Sequence, residues 1–454
     1  MQIINPATEE IIKDLEEDSR ETVQKKYEKL RMGQLSWAKV PVEERVTCIQ
    51  RFHDLLETEK QVLAETLTRE VGKPLQQSFN ELNGARSRLG FFIQHSVAQL
   101  ADEWVTPDGV TREKIVYEPL GVVANISAWN YPYLVGINVF IPALIGGNAV
   151  MYKPSEYSTL TGLHIERLLK KAGIPADVFT TIIGRGIVGG YLIDLPLDGY
   201  YFTGSYKTGR LIAERVAPKL VPCQLELGGK DPMYVMDDVA DVKQAAVAAV
   251  EGVVYNNGQS CCAVERIYVQ DKIYDDFVGA YLEELKRMKT GDPMQPGTDI
   301  GPLSRKEQVD FLAGQINDAR TKGAELLYGG KPVEGRGYYF EPAVLVNVNH
   351  EMKIMKEESF GPVVGIQKVK DDAEATRLML DTEFGLTAAV YSTDQQRAEA
   401  VMRAMRTGTV YWNCCDRVSA NLPWSGRGHS GLGSTLGAQG IRAFVQPKAY
   451  HLRF

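Results

Sequence analysis

Gly121-Val-Val-Ala-Asn-Ile-Ser-Ala-Trp-Asn-Tyr-Pro132 opens the stretch that decides the fold. Its first seven residues are an apolar run of strand length, fit for a strand buried on both faces. The rhythm then alternates. Residues 134–145 read as a helix, 149–153 as a strand, 160–171 as a helix and 178–183 as a strand. A short strand over 200–203, a helix over 207–217 and a strand over 223–227 follow. This β-α-β-α-β order predicts an open parallel sheet that takes a nucleotide at its carboxyl edge.

Outward toward the N-terminus, the first hundred residues read as helices. Asp18-Ser-Arg-Glu21 has the form of a capping box, followed by Val23, Tyr27, Leu30 and Leu35 at helical spacing. A second helix is expected from Pro41, and a third ends near Gly72 with Pro74 just beyond. Toward the C-terminus a second α/β stretch begins near Leu227. Helices are expected over 239–255, 274–288 and 306–322, and strands over 266–269, 343–348, 361–369 and 388–392.

Composition bounds the function classes. The 454 residues are 44% hydrophobic and 24% charged, which is globular composition in a chain too long for one small core. The net charge of −7 is spread along the chain, so no basic block points to nucleic acid or an anionic membrane surface. The start, Met1-Gln-Ile-Ile-Asn-Pro6, is not a signal peptide, and the most apolar stretch is broken by Pro142, Gly146 and Gly147. The six cysteines lack zinc spacing and, in a chain of this size, read as reduced thiols. A cytoplasmic protein is the expectation.

Three short segments carry chemistry. In Gly258-Gln-Ser-Cys-Cys262, small residues surround a cysteine before an apolar strand. A thiol exposed there, at a loop or helix start, would gain from backbone N–H groups and a helix dipole. Alone, the pentapeptide fits a small buried cysteine better. In Glu226-Leu-Gly-Gly-Lys230 a carboxylate ends an apolar strand beside glycines that admit another group closely. A strand-end glutamate facing water fits equally well. In Ala128-Trp-Asn-Tyr-Pro132 the amide of Asn130 can donate to an oxyanion.

Together these segments resemble the NAD(P)-dependent aldehyde dehydrogenase superfamily over nearly the whole chain. The matching pieces are Trp129-Asn-Tyr-Pro132, Pro142-Ala-Leu with Gly147-Asn-Ala-Val150, Lys153-Pro-Ser-Glu156 and Phe202-Thr-Gly-Ser205. Leu225-Glu-Leu-Gly-Gly229, Asn257-Gly-Gln-Ser-Cys261 and Glu358-Ser-Phe-Gly-Pro362 complete them, in the family's order and at its spacings.

The resemblance implies an α/β fold with three parts. These are a Rossmann-like NAD-binding domain (1–100 and 119–228), an α/β catalytic domain (229–428) and a small β oligomerisation arm (101–118 and 444–454). It assigns the nucleophile to Cys261, the general base to Glu226 and the oxyanion amide to Asn130. Cofactor contacts fall to Ser127, Trp129, Lys153, Glu156, Gly186, Gly204, Ser205, Glu358 and Phe360. A carboxylate at Glu156 accepts from a ribose 2′-OH and repels a 2′-phosphate, so NAD is expected over NADP. Gly184-Arg-Gly-Ile-Val-Gly189 imitates the dinucleotide fingerprint, but no acidic residue ends a strand about twenty residues on. A homodimer or homotetramer is implied, with an aldehyde as partner.

The chain departs from the family in places. Pro423-Trp-Ser-Gly426 replaces Pro-Phe-Gly-Gly, and Ser434-Thr435 replaces an Arg-Glu pair; neither is expected to touch the catalytic set. The first strand is expected near Asn5-Pro-Ala-Thr8. Substrate contacts are expected from Tyr131, Asn138, Cys262 and Trp424. Tyr131 and Trp424 match aromatics that hold a cationic head group in betaine- and amino-aldehyde dehydrogenases. Asn138 stands where those enzymes have a third aromatic and semialdehyde dehydrogenases an arginine. An apolar aldehyde, an aminoaldehyde and a succinate-semialdehyde-like acid all stay open. A non-oxidative thioester hydrolase, or a binding protein without catalysis, are the rival functions.

Overall fold

A computed structural model describes all 454 residues. Two mainly parallel sheets, each covered by helices, form its centre. In the first, the order is Gly431–Leu432, Cys223–Glu226, Gly199–Thr203, Val122–Ile126, Ala149–Lys153, Phe179–Thr181. The chain enters at Val122–Ile126, moves outward to Phe179–Thr181, then returns to the other side of its starting strand at Gly199–Thr203. That reversal opens a crevice at the carboxyl ends of the strands, where open α/β sheets bind ligands. Both Val122–Ile126 and Ala149–Lys153 are buried along their whole length, as an unbroken apolar run requires.

The second sheet has seven strands, ordered Glu325–Tyr328, Ala343–Val346, Val363–Val369, Val264–Gln270, Asp231–Val235, Thr387–Tyr391, Thr409–Trp412. All its pairings are parallel except that of the Glu325–Tyr328 edge. The chain crosses between the sheets through Leu227-Gly-Gly-Lys230, a buried link. A third sheet pairs Val445–Arg453 with Thr111–Pro119 and that strand with Glu103–Thr106, all antiparallel.

The alternation expected between residues 121 and 227 is present, with one addition. Gly186–Asp194, which the sequence reading gave no element, is a helix entered from Arg185. Two N-terminal details differ from the sequence reading. Ser19, not Asp18, caps the Arg20–Trp37 helix by accepting from the Thr22 N–H. Asp18 accepts instead from the Ile183 N–H at 2.7 Å and from Lys26, which ties that helix to the first sheet. Asn5-Pro-Ala-Thr8 is the turn between strands Gln2–Ile4 and Ile11–Asp14, since the Asn5 side chain accepts from the Ala7 N–H and favours a turn. The longest helix, Leu75–Leu100, begins after the left-handed Gly72 and packs on Pro132–Ile145. No helix is long and apolar enough to cross a membrane.

Candidate active site

A cavity of about 770 Å³ lies along the carboxyl edge of the first sheet and reaches the link to the second. Cys261, Glu226 and Asn130 all line it. Its size is that of a typical small-molecule site.

Cys261 sits on a turn between the 3₁₀ segment Tyr255–Gly258 and strand Val264–Gln270. No helix starts there, so the dipole support expected from a helix N-terminus is absent. The turn is built by three successive left-handed residues, Asn256, Asn257 and Gly258. Asparagine tolerates that backbone because its amide can satisfy local groups. Here Asn256 donates to the carbonyls of Asn130 and Gln259, both at 3.0 Å. Asn257 donates to the carbonyl of Pro302 at 2.8 Å and accepts from the Gly301 N–H at 2.7 Å. At Gly258 a Cβ would fall 2.2 Å from the carbonyl carbon of Gly361, so only glycine fits. The cysteine loop is therefore clamped against neighbours from both halves of the chain.

The two adjacent thiols differ. Cys261 is half-buried and faces the cavity. Cys262 is buried and donates to an Asp416 carboxylate oxygen at 2.9 Å. Its bond to Cys261 and its burial push the Cys262 thiol well above the ordinary cysteine range. A thiol so held stays protonated.

Glu226 ends its strand inside the cavity. Burial pushes its carboxyl up to about 7, against a hydrogen bond from Thr435 and the positive charge of Arg88. Thr435 Oγ1 donates directly to Glu226 Oε1. The expectation that Ser434-Thr435 stays clear of the catalytic set is thus wrong. Gly431–Leu432 pairs antiparallel with Leu225–Glu226, and Thr435 exchanges backbone hydrogen bonds with Trp424, so the late segment folds over the carboxylate. Nothing local in the sequence signals a pairing across 209 residues.

Asn130 is buried, and its Nδ2 donates to the Gln259 carbonyl at 3.0 Å. An amide carries two N–H donors, so one remains for a ligand. Its backbone carbonyl accepts from Lys73 Nζ at 2.6 Å. Lys73 is fully buried and paired with Glu81 at 2.5 Å, and Glu81 also accepts from the Tyr133 N–H at 2.9 Å. This ion pair anchors the Asn130 loop and the start of the following helix. Sequence reasoning passed over it, because a lysine after a helix stop resembles any exposed lysine.

The expected cofactor residues Ser127, Trp129, Lys153 and Glu156 line the same cavity, as do Gly186, Gly204, Ser205, Glu358 and Phe360. Gly204-Ser205 forms a strand-to-helix turn in which Ser205 caps Tyr206–Val216. Glu358 accepts from the Gly229 N–H at 3.1 Å, and burial with Glu265 nearby pushes its carboxyl up to about 8. A Cβ on Gly228 would lie 2.1 Å from Glu358 Oε1, so glycine lets the carboxyl approach. Glu265 holds the segment by accepting from the N–H groups of Ser359 and Phe360 at 2.8 Å. The Phe360 ring meets Trp129 edge-on at 5.5 Å.

The four residues expected at the substrate do not line this cavity. Tyr131 lies under Lys73, whose Nζ is 4.1 Å from the ring centre. Trp424 is packed in the largest apolar cluster. Asn138 is buried and accepts from Arg88 Nη1 at 2.9 Å, a cation unmarked in the sequence reading.

The sequence profile of the aldehyde dehydrogenase family matches residues 1–450. Human aldehyde dehydrogenase 1A1 is 36% identical over 453 residues, covering 98% of this chain and 90% of the relative. The 3,6-anhydro-alpha-L-galactose dehydrogenase of Vibrio sp. strain EJY3 is 31% identical over 463 residues, covering 100% and 95%. A crystal structure of betaine aldehyde dehydrogenase from Staphylococcus aureus, in complex with NAD+, superposes with a TM-score of 0.96 at 31% identity, covering 100% and 92%. Family profile, relatives and fold converge: the chain belongs to the aldehyde dehydrogenase family of NAD(P)-dependent oxidoreductases.

Proposed function

We propose that this protein oxidises an aldehyde to its carboxylic acid through a thioester on Cys261, with NAD as cofactor. The observation that carries the reading is the convergence of one accessible thiol, one buried carboxyl and one buried amide on a single cavity. The cavity also fits a dinucleotide. Ser205 presents a helix N-terminus suited to a pyrophosphate, and Gly186 has nothing within 4 Å of where a Cβ would stand. Lys153 and Glu156 would hold the adenosine ribose, with Glu156 disfavouring the extra phosphate of NADP. Glu358, Phe360, Ser127 and Trp129 would flank the nicotinamide end. Bound there, the dinucleotide supplies the acceptor for the hydride that leaves the aldehyde carbon.

The chain's own residues do the rest. Cys261 Sγ adds to the carbonyl carbon, and the π pair moves to oxygen. The free N–H of Asn130 and the backbone N–H of Cys261 receive that oxyanion. Once the carbon has lost its hydrogen, an acyl thioester remains. Glu226 takes a proton from water, whose oxygen attacks the acyl carbon. The C–S bond breaks, the thiolate returns, and the acid leaves. Cys262, tied to Asp416, takes no part.

The test is NADH formation by the purified protein with neutral, amino- and carboxy-aldehydes, alongside Cys261→Ala. No NADH from any of them, or equal rates from the variant, would overturn the reading. For the cofactor, Glu156→Gln should improve use of NADP; an unchanged NAD/NADP ratio removes the ribose argument.

We further infer the division into a cofactor domain (1–100 and 119–228), a catalytic domain (229–428) and an arm (101–118 and 444–454). The three-stranded sheet supports the arm. Trp104, Val105, Val110 and Phe454 lie exposed on it, an apolar surface suited to a second copy in a homodimer or homotetramer. Six unpaired cysteines are in keeping with a reducing, cytoplasmic setting.

A further inference from the structure

Three cations line the cavity that holds Cys261, and they are Lys153, Arg215 and Arg305. Two already have partners. Arg215 pairs with Asp194, and the buried Lys153 donates to the Pro154 carbonyl at 3.3 Å. Arg305 is different. It forms no ion pair, and its side chain makes one hydrogen bond, from Nη2 to Gln308 Oε1 at 2.6 Å. Gln308 is buried and donates in turn to the Ser359 carbonyl at 2.6 Å, which holds the guanidinium against the Glu358-Ser-Phe360 segment.

Arg305 Nε is buried and has no hydrogen-bond partner in the protein. A buried donor in that state costs free energy, and a cationic one is best completed by an anion. The surroundings indicate where along the cavity that anion would sit. The guanidinium carbon lies 5.8 Å from the centre of the Trp129 ring. Trp129 meets Tyr157 edge-on at 6.2 Å and Phe360 edge-on at 5.5 Å. Tyr157 follows Glu156 at the adenosine-ribose end, whereas Phe360 belongs to the nicotinamide end. Arg305 therefore stands between the two ends, and the group that joins the two riboses of a dinucleotide is a pyrophosphate.

We propose that Arg305 binds the pyrophosphate of the cofactor, holding it from the second half of the chain while Ser205 presents a helix N-terminus from the first. The assignment rests on the reading of this cavity as a dinucleotide site and deepens it. A guanidinium suits the role, because its paired N–H groups match two phosphate oxygens. The contact with Gln308 takes one N–H of Arg305 and leaves the others for the ligand. One acid opposes the proposal from close by. Glu307 stands on the first turn of Lys306–Thr321 and lines the same cavity, but it is exposed, and water screens its charge.

The experiment measures dissociation constants for ADP and for adenosine by calorimetry, in the unaltered protein and in Arg305→Met. ADP carries the diphosphate without the nicotinamide half, so the ratio of the two constants reads the phosphate contact. Arg305→Met should weaken ADP by about 10–100-fold and leave adenosine unchanged, and Arg305→Lys should recover part of the loss. An equal loss for both ligands overturns the proposal, because Arg305 then acts through Trp129 or the fold. Undiminished ADP binding in Arg305→Met also overturns it and leaves Arg305 to another anion, such as the acid product. A measurement on the unaltered protein guards against a variant that does not fold: inorganic pyrophosphate should compete with NADH, and its failure to compete overturns the proposal as well. NADH binding by the unaltered protein, followed through quenching of tryptophan fluorescence, separates the two readings. NADH bound while Arg305→Met spares ADP defeats the Arg305 assignment alone; no binding of NADH defeats the dinucleotide site and the assignment with it.

Discussion

At the scale of single residues, the environment decides roles that residue type leaves open. Cys261 and Cys262 are chemically identical, yet one faces the cavity and the other is held by Asp416. Cys261→Ala should abolish turnover, and Cys262→Ala should retain most of it; a comparable loss from both, measured by NADH formation, would show that the distinction is wrong. Glu226 is likewise defined by surroundings. Because burial lifts its carboxyl to about 7, it is protonated below that pH and becomes a base above it. Steady-state turnover limited by deacylation should therefore rise through pH 7 and level off beyond it. Thr435 favours the charged form by donating to it, so Thr435→Val should move that inflection to higher pH. Glu226→Gln should leave a single-turnover burst of NADH but slow the following steady state by about 10²–10⁴-fold. A burst lost together with the steady state would place Glu226 before the thioester.

At the scale of elements, the strands and helices between residues 121 and 227 were legible because a strand buried on both faces must be apolar throughout and is bounded by turn residues before the next helix. Ala149–Lys153 matches its expected bounds residue for residue. What was not legible is what joins elements far apart in the chain. Lys73 reaches the Asn130 carbonyl across 57 positions, and Thr435 reaches Glu226 across 209. Neither partner shows a periodicity or a motif, since a side-chain contact of this kind depends on how two finished elements meet. Arg88 was hidden similarly: on a long helix it reads as one more surface arginine until the packing against Pro132–Ile145 buries it. The buried Lys73–Glu81 pair belongs to this scale. Lys73→Met leaves an unpaired buried carboxylate and should destabilise the protein by about 3–5 kcal/mol. The Lys73→Met, Glu81→Leu double variant should recover part of that in thermal unfolding. Asn130 would still be misplaced, so activity should not recover with stability; recovery of both would mean that the pair does not position the amide.

At the scale of the whole molecule, the two sheets meet through Leu227-Gly-Gly-Lys230, and the groups assigned to chemistry come from both sides of that junction. Glu226 and Asn130 belong to the first sheet's edge, whereas Cys261 precedes a strand of the second. The site therefore exists only when both are folded and docked, and the clamp of Asn256 and Asn257 onto residues 72, 130 and 302 is what fixes the docking. The third sheet stands apart from this chemistry. Its strand Val445–Arg453 runs the full length of Thr111–Pro119, more pairing than an idle tail needs, and leaves Trp104, Val105 and Phe454 in solvent. In the proposed homo-oligomer a second copy would cover that exposure. Removing residues 445–454 takes away one strand and part of the apolar face, so the deletion variant should show a smaller mass in light scattering than the full chain. The cavity shares no residue with that sheet, so any assembly change should precede a change in NAD-dependent activity as protein is diluted. Equal masses for the two chains would assign the exposed face to something other than a second copy.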